Sequence, residues 1–219
     1  MIHLNTSGFS LEVFTAIDVK EEGGKMSFDY NNPEIRKHMM EGYFGLEKES
    51  LRVTPEGFLA HTKHPFPDDP KMERDFCENQ TELITGVAGS IEAAWEELAA
   101  LQKKAIQTMR HLKSGKELMW PFSNPPYVLG EKDIPIASYQ GKMHGKTAYR
   151  RYLAEKYGKK KMLFSGIHFN FSFARELLKE GASQEKTLSV QEYKDKVYLE
   201  LAKKVTEYSW LIVYFCNLS

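Results

Sequence analysis

A chain of 219 residues, 42% hydrophobic and 27% charged, suits one globular domain with a sizeable core. Its 30 Lys plus Arg offset 30 Asp plus Glu, which argues against a general affinity for nucleic acid or an anionic membrane, since both draw on excess positive charge. Cys77 and Cys216 offer no CxxC spacing, the N-terminus lacks a basic segment before an apolar one, and the apolar run Trp210 to Cys216 is too short to cross a bilayer, so a cytoplasmic protein is expected.

Residues 1–26 carry Gly8, Gly23 and Gly24 with weak periodicity and form a poorly specified lead-in. Asn32-Pro33 reads as an N-cap with proline at the first helical position, opening a short helix through Met40. Tyr43 to Val53 then reads as a strand in which Glu47 and Glu49 share one face, with Phe44 and Leu46 on the other. Two acids that close resist burial unless a proton, a basic partner or a cation relieves them. Lys48 and Arg52 nearby leave a plain solvent face as the alternative.

A Pro55-Glu56-Gly57 turn predicts a hairpin into Phe58-Leu59-Ala60. His61 to Asp69 is a loop by its prolines and aspartates; His61 and His64 could ligate a metal, but exposed loop histidines are expected. In Met72 to Gly86, Asp75 and Glu82 stand an odd number of positions apart, so one straight strand would send them to opposite faces. Their convergence requires a bulge or turn near Glu78-Asn79-Gln80.

Ser90 caps the clearest amphipathic helix, with Ile91, Trp95, Leu98, Leu101, Ala105, Met109 and Leu112 as its core stripe. The long irregular stretch from Met119 to Gly145 runs into QGKMHGKT, which misses the phosphate-loop pattern because Gln140 stands where glycine is required. Lys142, Lys146 and Arg150 could nonetheless approach a phosphate. Lys146 to Tyr157 reads as a helix, and Phe164 to Phe173 alternates with Ile167, Phe169, Phe171 and Phe173 on one face, His168, Asn170 and Ser172 on the other. Ser189 opens a last helix running on into Trp210 to Phe215. Its apolar end implies either a truncated chain or a surface buried by self-association.

Gly45-Leu46-Glu47-Lys48-Glu49 with Leu51-Arg52-Val53, Asp75-Phe76 with Glu82-Leu83-Ile84-Thr85, Met119-Trp120-Pro121, and Ser165 to Ser172 together resemble, in order and spacing, the N-terminal part of bacterial glutamate-cysteine ligases. They also resemble the ligase module of the bifunctional enzyme that makes glutathione. The resemblance implies an α+β fold with a curved, mostly antiparallel sheet and flanking helices, related to glutamine synthetase and incomplete at the C-terminus. Residues 27–219 would be the N-terminal portion of the catalytic domain.

It further implies that ATP phosphorylates the side-chain carboxylate of glutamate and that the amino group of cysteine attacks the acyl phosphate. Glu47, Glu49, Asp75, Glu82 and His168 would hold Mg²⁺, with Mn²⁺ admitted by the imidazole. Arg150 and Lys146 would face the ATP phosphates, with Arg150 catalytic, and Tyr149, Phe76 and Asn170 would contact substrate. A loop that closes to keep water out is expected at Pro125 to Gly145. The resemblance also places a further metal-binding carboxylate and arginines in the later half of such enzymes. A catalytically silent remnant or association module is the alternative.

Overall fold

A computed structural model describes residues 28–216. The lead-in assigned to residues 1–26 lies outside them. The described residues form an open five-stranded antiparallel sheet with six α-helices.

The central strand is β1, Gly42–Val53. On one edge it pairs with β3, Gln80–Ile84, which carries β2, Met72–Arg74, outside it. On the other edge it pairs along its first half with β5, Ile167–Phe173, and at its end with β4, Leu118–Met119. The Pro55-Glu56-Gly57 turn forms with Gly57 at φ 87°, a left-handed conformation that glycine adopts without penalty. The returning chain makes a single bridge, Val53 to Leu59, and not the full strand of a hairpin.

One sheet face is covered by α2, Ile91–Arg110, capped by the Ser90 side chain. Leu46, Met72 and Leu83 from the sheet pack there against Ala94, Leu98, Ala105 and Met109. The expected stripe is therefore rotated. Ile91 and Trp95 are 51% and 62% exposed, while Ala94 is buried. Both lines satisfy helical spacing, and at this end the small alanine meets the sheet in place of the bulkier pair.

A second cluster lies at the far end of β1, where Leu51, Leu59, Phe76, Cys77, Ile134 and Leu163 pack together. A third joins α1, Pro33–His38, to α4, Arg175–Gln184, and α5, Val190–Glu207, through Ile35, Leu177, Leu178, Tyr193 and Val197. The last helix does not run on unbroken: α5 ends at Glu207 and α6, Ser209–Cys216, begins anew. On α6, Trp210, Tyr214 and Phe215 are exposed.

The solvent-face alternative for this strand fails at Arg52, whose side chain is wholly buried. Its guanidinium donates to Glu117 Oε2 at 2.6 Å, Thr62 Oγ1 at 2.7 Å, the Thr62 carbonyl at 3.0 Å and the Glu78 carbonyl at 2.9 Å. One cation thus ties the strand to three separate segments, including the turn between β2 and β3. Glu117 is buried with it and supplies the balancing negative charge. Glu117→Ala is expected to cost about 3–5 kcal/mol, the penalty of leaving a buried charge unpaired, read as a lower midpoint in urea unfolding with the slope unchanged.

Candidate metal centre

In antiparallel pairing, directly opposed residues present their side chains on the same face. The register sets Glu47 opposite His168 across the β1–β5 ladder, Glu49 opposite Glu82 across β1–β3, and Glu82 opposite Glu73 across β2–β3. All five therefore share the face turned away from α2. The odd spacing of Asp75 and Glu82 is resolved by the tight turn between β2 and β3, residues 75–79, which brings the Asp75 N–H to the Gln80 carbonyl at 3.0 Å. Asp75 then sits in line with Glu73 and joins the acidic face. Lys48 and Arg52 have the opposite parity. Lys48 donates to Gln102 Oε1 of α2 at 2.7 Å, so neither neutralises these acids.

His168 stands between two carboxylates, its Nδ1 3.1 Å from Glu47 Oε2 and its Nε2 3.4 Å from Glu49 Oε1. The bond to Glu47, opposed by burial and aided by the charge on Glu49, raises its pKa. Glu49 is 8% exposed, and its Oε2 accepts the Gly166 N–H at 3.0 Å. Burial, reinforced by Asp75, pushes it up to about 8. Burial with Asp75 and Glu47 lifts Glu82 to about 7. Asp75 is also raised by burial, against the pull of Arg150.

One ligand atom each from Glu47, Glu82 and His168 lies within 4.8 Å of the others. Glu49 adjoins this triple through His168, and Asp75 at the Arg150 end. Such a surplus of partly buried acid beside one imidazole is a donor set that would suit a divalent cation.

The remaining expected residues are placed unevenly. Asn170 shares the acidic face opposite Gly45, and its buried Oδ1 has no hydrogen-bond partner among the described residues. Phe76 is 1% exposed inside the second cluster and offers no open surface. Tyr149 is exposed on α3, His144–Tyr157. Lys146 pairs with Glu73 at 2.9 Å. Arg150 is committed to backbone: its Nε donates to the Asp75 carbonyl, and its other nitrogens reach the carbonyls of Arg74 at 3.3 Å and Lys146 at 3.2 Å.

In the stretch expected to close as a loop, Pro125 to Gly145, the middle is anchored. Ile134 and Ala137 are fully buried, the Ala137 N–H donates to the Phe76 carbonyl at 3.0 Å, and the Glu78 N–H to the Pro135 carbonyl at 2.8 Å. Residues 134–139 thus buttress the turn that bears Asp75. Of the two loop histidines, His61 is exposed, but His64 is half-buried with its Nε2 2.8 Å from the Met72 carbonyl. Sequence reasoning does not reach the roles of Arg52, Glu117 and Tyr139, which depend on what each side chain meets in space. The one signal in the residue order is Arg52 itself, a charge in an otherwise apolar strand end.

The profile of the glutamate-cysteine ligase family matches residues 29–219. A glutathione biosynthesis bifunctional protein of Listeria monocytogenes is 42% identical over 196 residues, spanning 86% of this chain and 25% of the relative. A glutamate–cysteine ligase of Clostridium acetobutylicum is 36% identical over 197 residues, 85% of this chain and 40% of that one. The crystal structure of a bifunctional glutathione synthetase from Pasteurella multocida superposes with a TM-score of 0.76 at 30% identity, covering 87% of this chain and 25% of the other. That of a Francisella tularensis glutamate–cysteine ligase in complex with AMP gives 0.66 at 32% identity, covering 78% and 34%. The chain thus spans about a quarter of the length of the bifunctional relatives it matches.

The acidic face generates a pH dependence. A carboxyl whose pKa is raised on folding binds more protons folded than unfolded, so its contribution to stability falls as pH rises from its ordinary value to its folded one. For Glu49 that window runs from 4.5 to about 8, and for Glu82 from 4.5 to about 7. The raised His168 acts in the same direction, its stabilisation being lost as pH climbs through its folded pKa. Urea unfolding without divalent cations is expected to show stability declining across that window, and Glu49→Gln to flatten the decline.

Proposed function

The chain belongs to the glutamate-cysteine ligase family, and on that premise we propose that it carries the cation-binding wall of an ATP-dependent ligase joining the side-chain carboxylate of glutamate to the amino group of cysteine. The observation that carries this reading is the convergence of Glu47, Glu49, Asp75, Glu82 and His168 on one sheet face. The assignment is confined to the wall because most of the relatives' length lies outside the match. Glutamate, cysteine and ATP are the proposed substrates, and the cytoplasm the proposed compartment; no helix among the described residues is long and apolar enough to cross a membrane.

Glu47, Glu82 and His168 would hold the ion, Glu49 and Asp75 flanking them. Hard oxygen donors suit Mg²⁺, and the imidazole admits Mn²⁺. When bound, the cation supplies neutralisation of polyphosphate charge and orientation of the transferred phosphoryl group. The chain's own residues prepare that place. Glu49, tethered to the Gly166 N–H, keeps one oxygen fixed, and Arg150 grips the backbone carbonyls of Arg74 and Asp75. His168, set between Glu47 and Glu49, would offer a ring nitrogen to the ion. Asn170 carries a buried acceptor suited to a substrate ammonium group.

Mn²⁺ titration followed by electron paramagnetic resonance tests the wall. Glu47→Gln is expected to weaken binding by at least the roughly 10–100-fold that accompanies loss of a ligand's supporting partner. Its unfolding midpoint should hold, because removing one negative charge relieves the crowding. Wild-type affinity in the variant would exclude Glu47 from the centre. In a full-length ligase module carrying these residues, phosphate release from ATP should require glutamate and cysteine together, and release indifferent to glutamate would refute the ligase reading. The exposed Trp210, Tyr214 and Phe215 favour a second reading, self-association through α6. Size-exclusion chromatography should then show a dimer that Trp210→Ser with Phe215→Ser returns to monomer.

A further inference from the structure

Beside the acidic face, three cations surround one aromatic ring. The Tyr139 centroid lies 4.4 Å from the Arg74 guanidinium, 5.1 Å from that of Arg150 and 5.3 Å from Lys146 Nζ. All are within the range in which a cation is drawn to the face of a π-system. Each also has an acidic partner: Arg74 is bound through Nη1 to both Glu78 oxygens, at 2.7 and 2.9 Å, Lys146 pairs with Glu73, and Arg150 approaches the Asp75 carboxylate at 4.0 Å. Tyr139 is 8% exposed and fixed at both ends. Its hydroxyl donates to the Arg74 carbonyl at 2.6 Å, and its backbone N–H to Thr147 Oγ1 of α3 at 2.8 Å.

We propose that Tyr139 is a positioning residue for the cation-binding wall, its ring holding the Arg150 guanidinium in the orientation that fixes Asp75. The inference rests on the reading of that wall as a cation site. Asp75 is the first residue past β2, outside the ladder and joined to β3 through its own N–H and the Gln80 carbonyl. Arg150 holds the rest of the residue, through the Asp75 carbonyl and carboxylate together. A guanidinium is planar and binds its acceptors in a fixed fork, so the surface against which it lies sets where the fork points. Tyr139 provides that surface, and the anchored segment 134–139 keeps the ring in register with the turn. Tyr139 thus acts on the site through Arg150, its own hydrogen bonds going to Arg74 and Thr147 and not to the five candidate ligands.

The test compares Tyr139→Phe, Tyr139→Leu and Arg150→Lys in Mn²⁺ titrations, each alone and combined with Asp75→Asn. The phenylalanine variant keeps the ring and should stay close to wild-type affinity, whereas Tyr139→Leu and Arg150→Lys should each lose about tenfold. In the Asp75→Asn background neither should cause a further loss, because the group they orient is already disabled. Equal losses with and without Asp75 would mean general damage to the fold and would overturn the proposal. A crystal structure of Tyr139→Leu gives a readout independent of any cation. Arg150 displaced from the Asp75 carbonyl is expected, and an unmoved Arg150 overturns the proposal even if the cation reading stands. Should wild type bind no Mn²⁺, the cation reading fails, while that structure still decides the positioning role.

Discussion

Antiparallel pairing of one strand on both edges places Glu49 against Glu82 and Glu47 against His168, and most of the architecture answers the charge this gathers. Like charges a few ångströms apart on a partly buried surface are costly unless something positive or a proton stands among them. Burial and the neighbouring acids accordingly push Glu49 and Glu82 well above the ordinary carboxylate range, and the Glu47 contact raises His168. A divalent cation is a better answer to the same problem, because it satisfies several carboxylate oxygens at once.

The supporting parts keep the face from relaxing. An acidic cluster on a flexible edge would splay apart, and β2 is a short edge strand ending at a turn. Three constraints oppose that movement. Arg52, buried beneath the sheet, holds the Glu78 carbonyl; the extended segment around Ile136 bridges to Cys77; and Arg150 clasps the carbonyls of Arg74 and Asp75 from α3. The far side of the sheet is sealed by α2, so β1 and β3 cannot turn their acids away without exposing Leu46 and Leu83. Burial on one face thereby enforces crowding on the other.

Much of this is legible in the residue order. The alternation of Ile167 to Phe173 marks a strand with His168 and Asn170 on its polar side, and the odd separation of Asp75 and Glu82 requires a turn between them. Less readable are residues whose surroundings invert their usual meaning. Trp95 and Ile91, the bulkiest apolar groups of their turn, face outward while Ala94 faces in, since helical spacing alone does not choose between adjacent lines. The proline-rich stretch before α3 has the composition of a mobile loop, yet residues 134–139 within it are pinned by backbone hydrogen bonds that composition does not register.

By itself, the sequence determined which side chains lie on a common strand face, because a period of two arises from local backbone geometry, and the ordered motifs determined the family. Only the tertiary structure decided which strands lie side by side. The register between β1, β3 and β5, the burial of Arg52 with Glu117, and the approach of the Arg150 guanidinium to the Tyr139 ring all join residues well separated along the chain. Such pairings depend on packing and on the sharing of buried charge across the whole fold, and no local pattern encodes them.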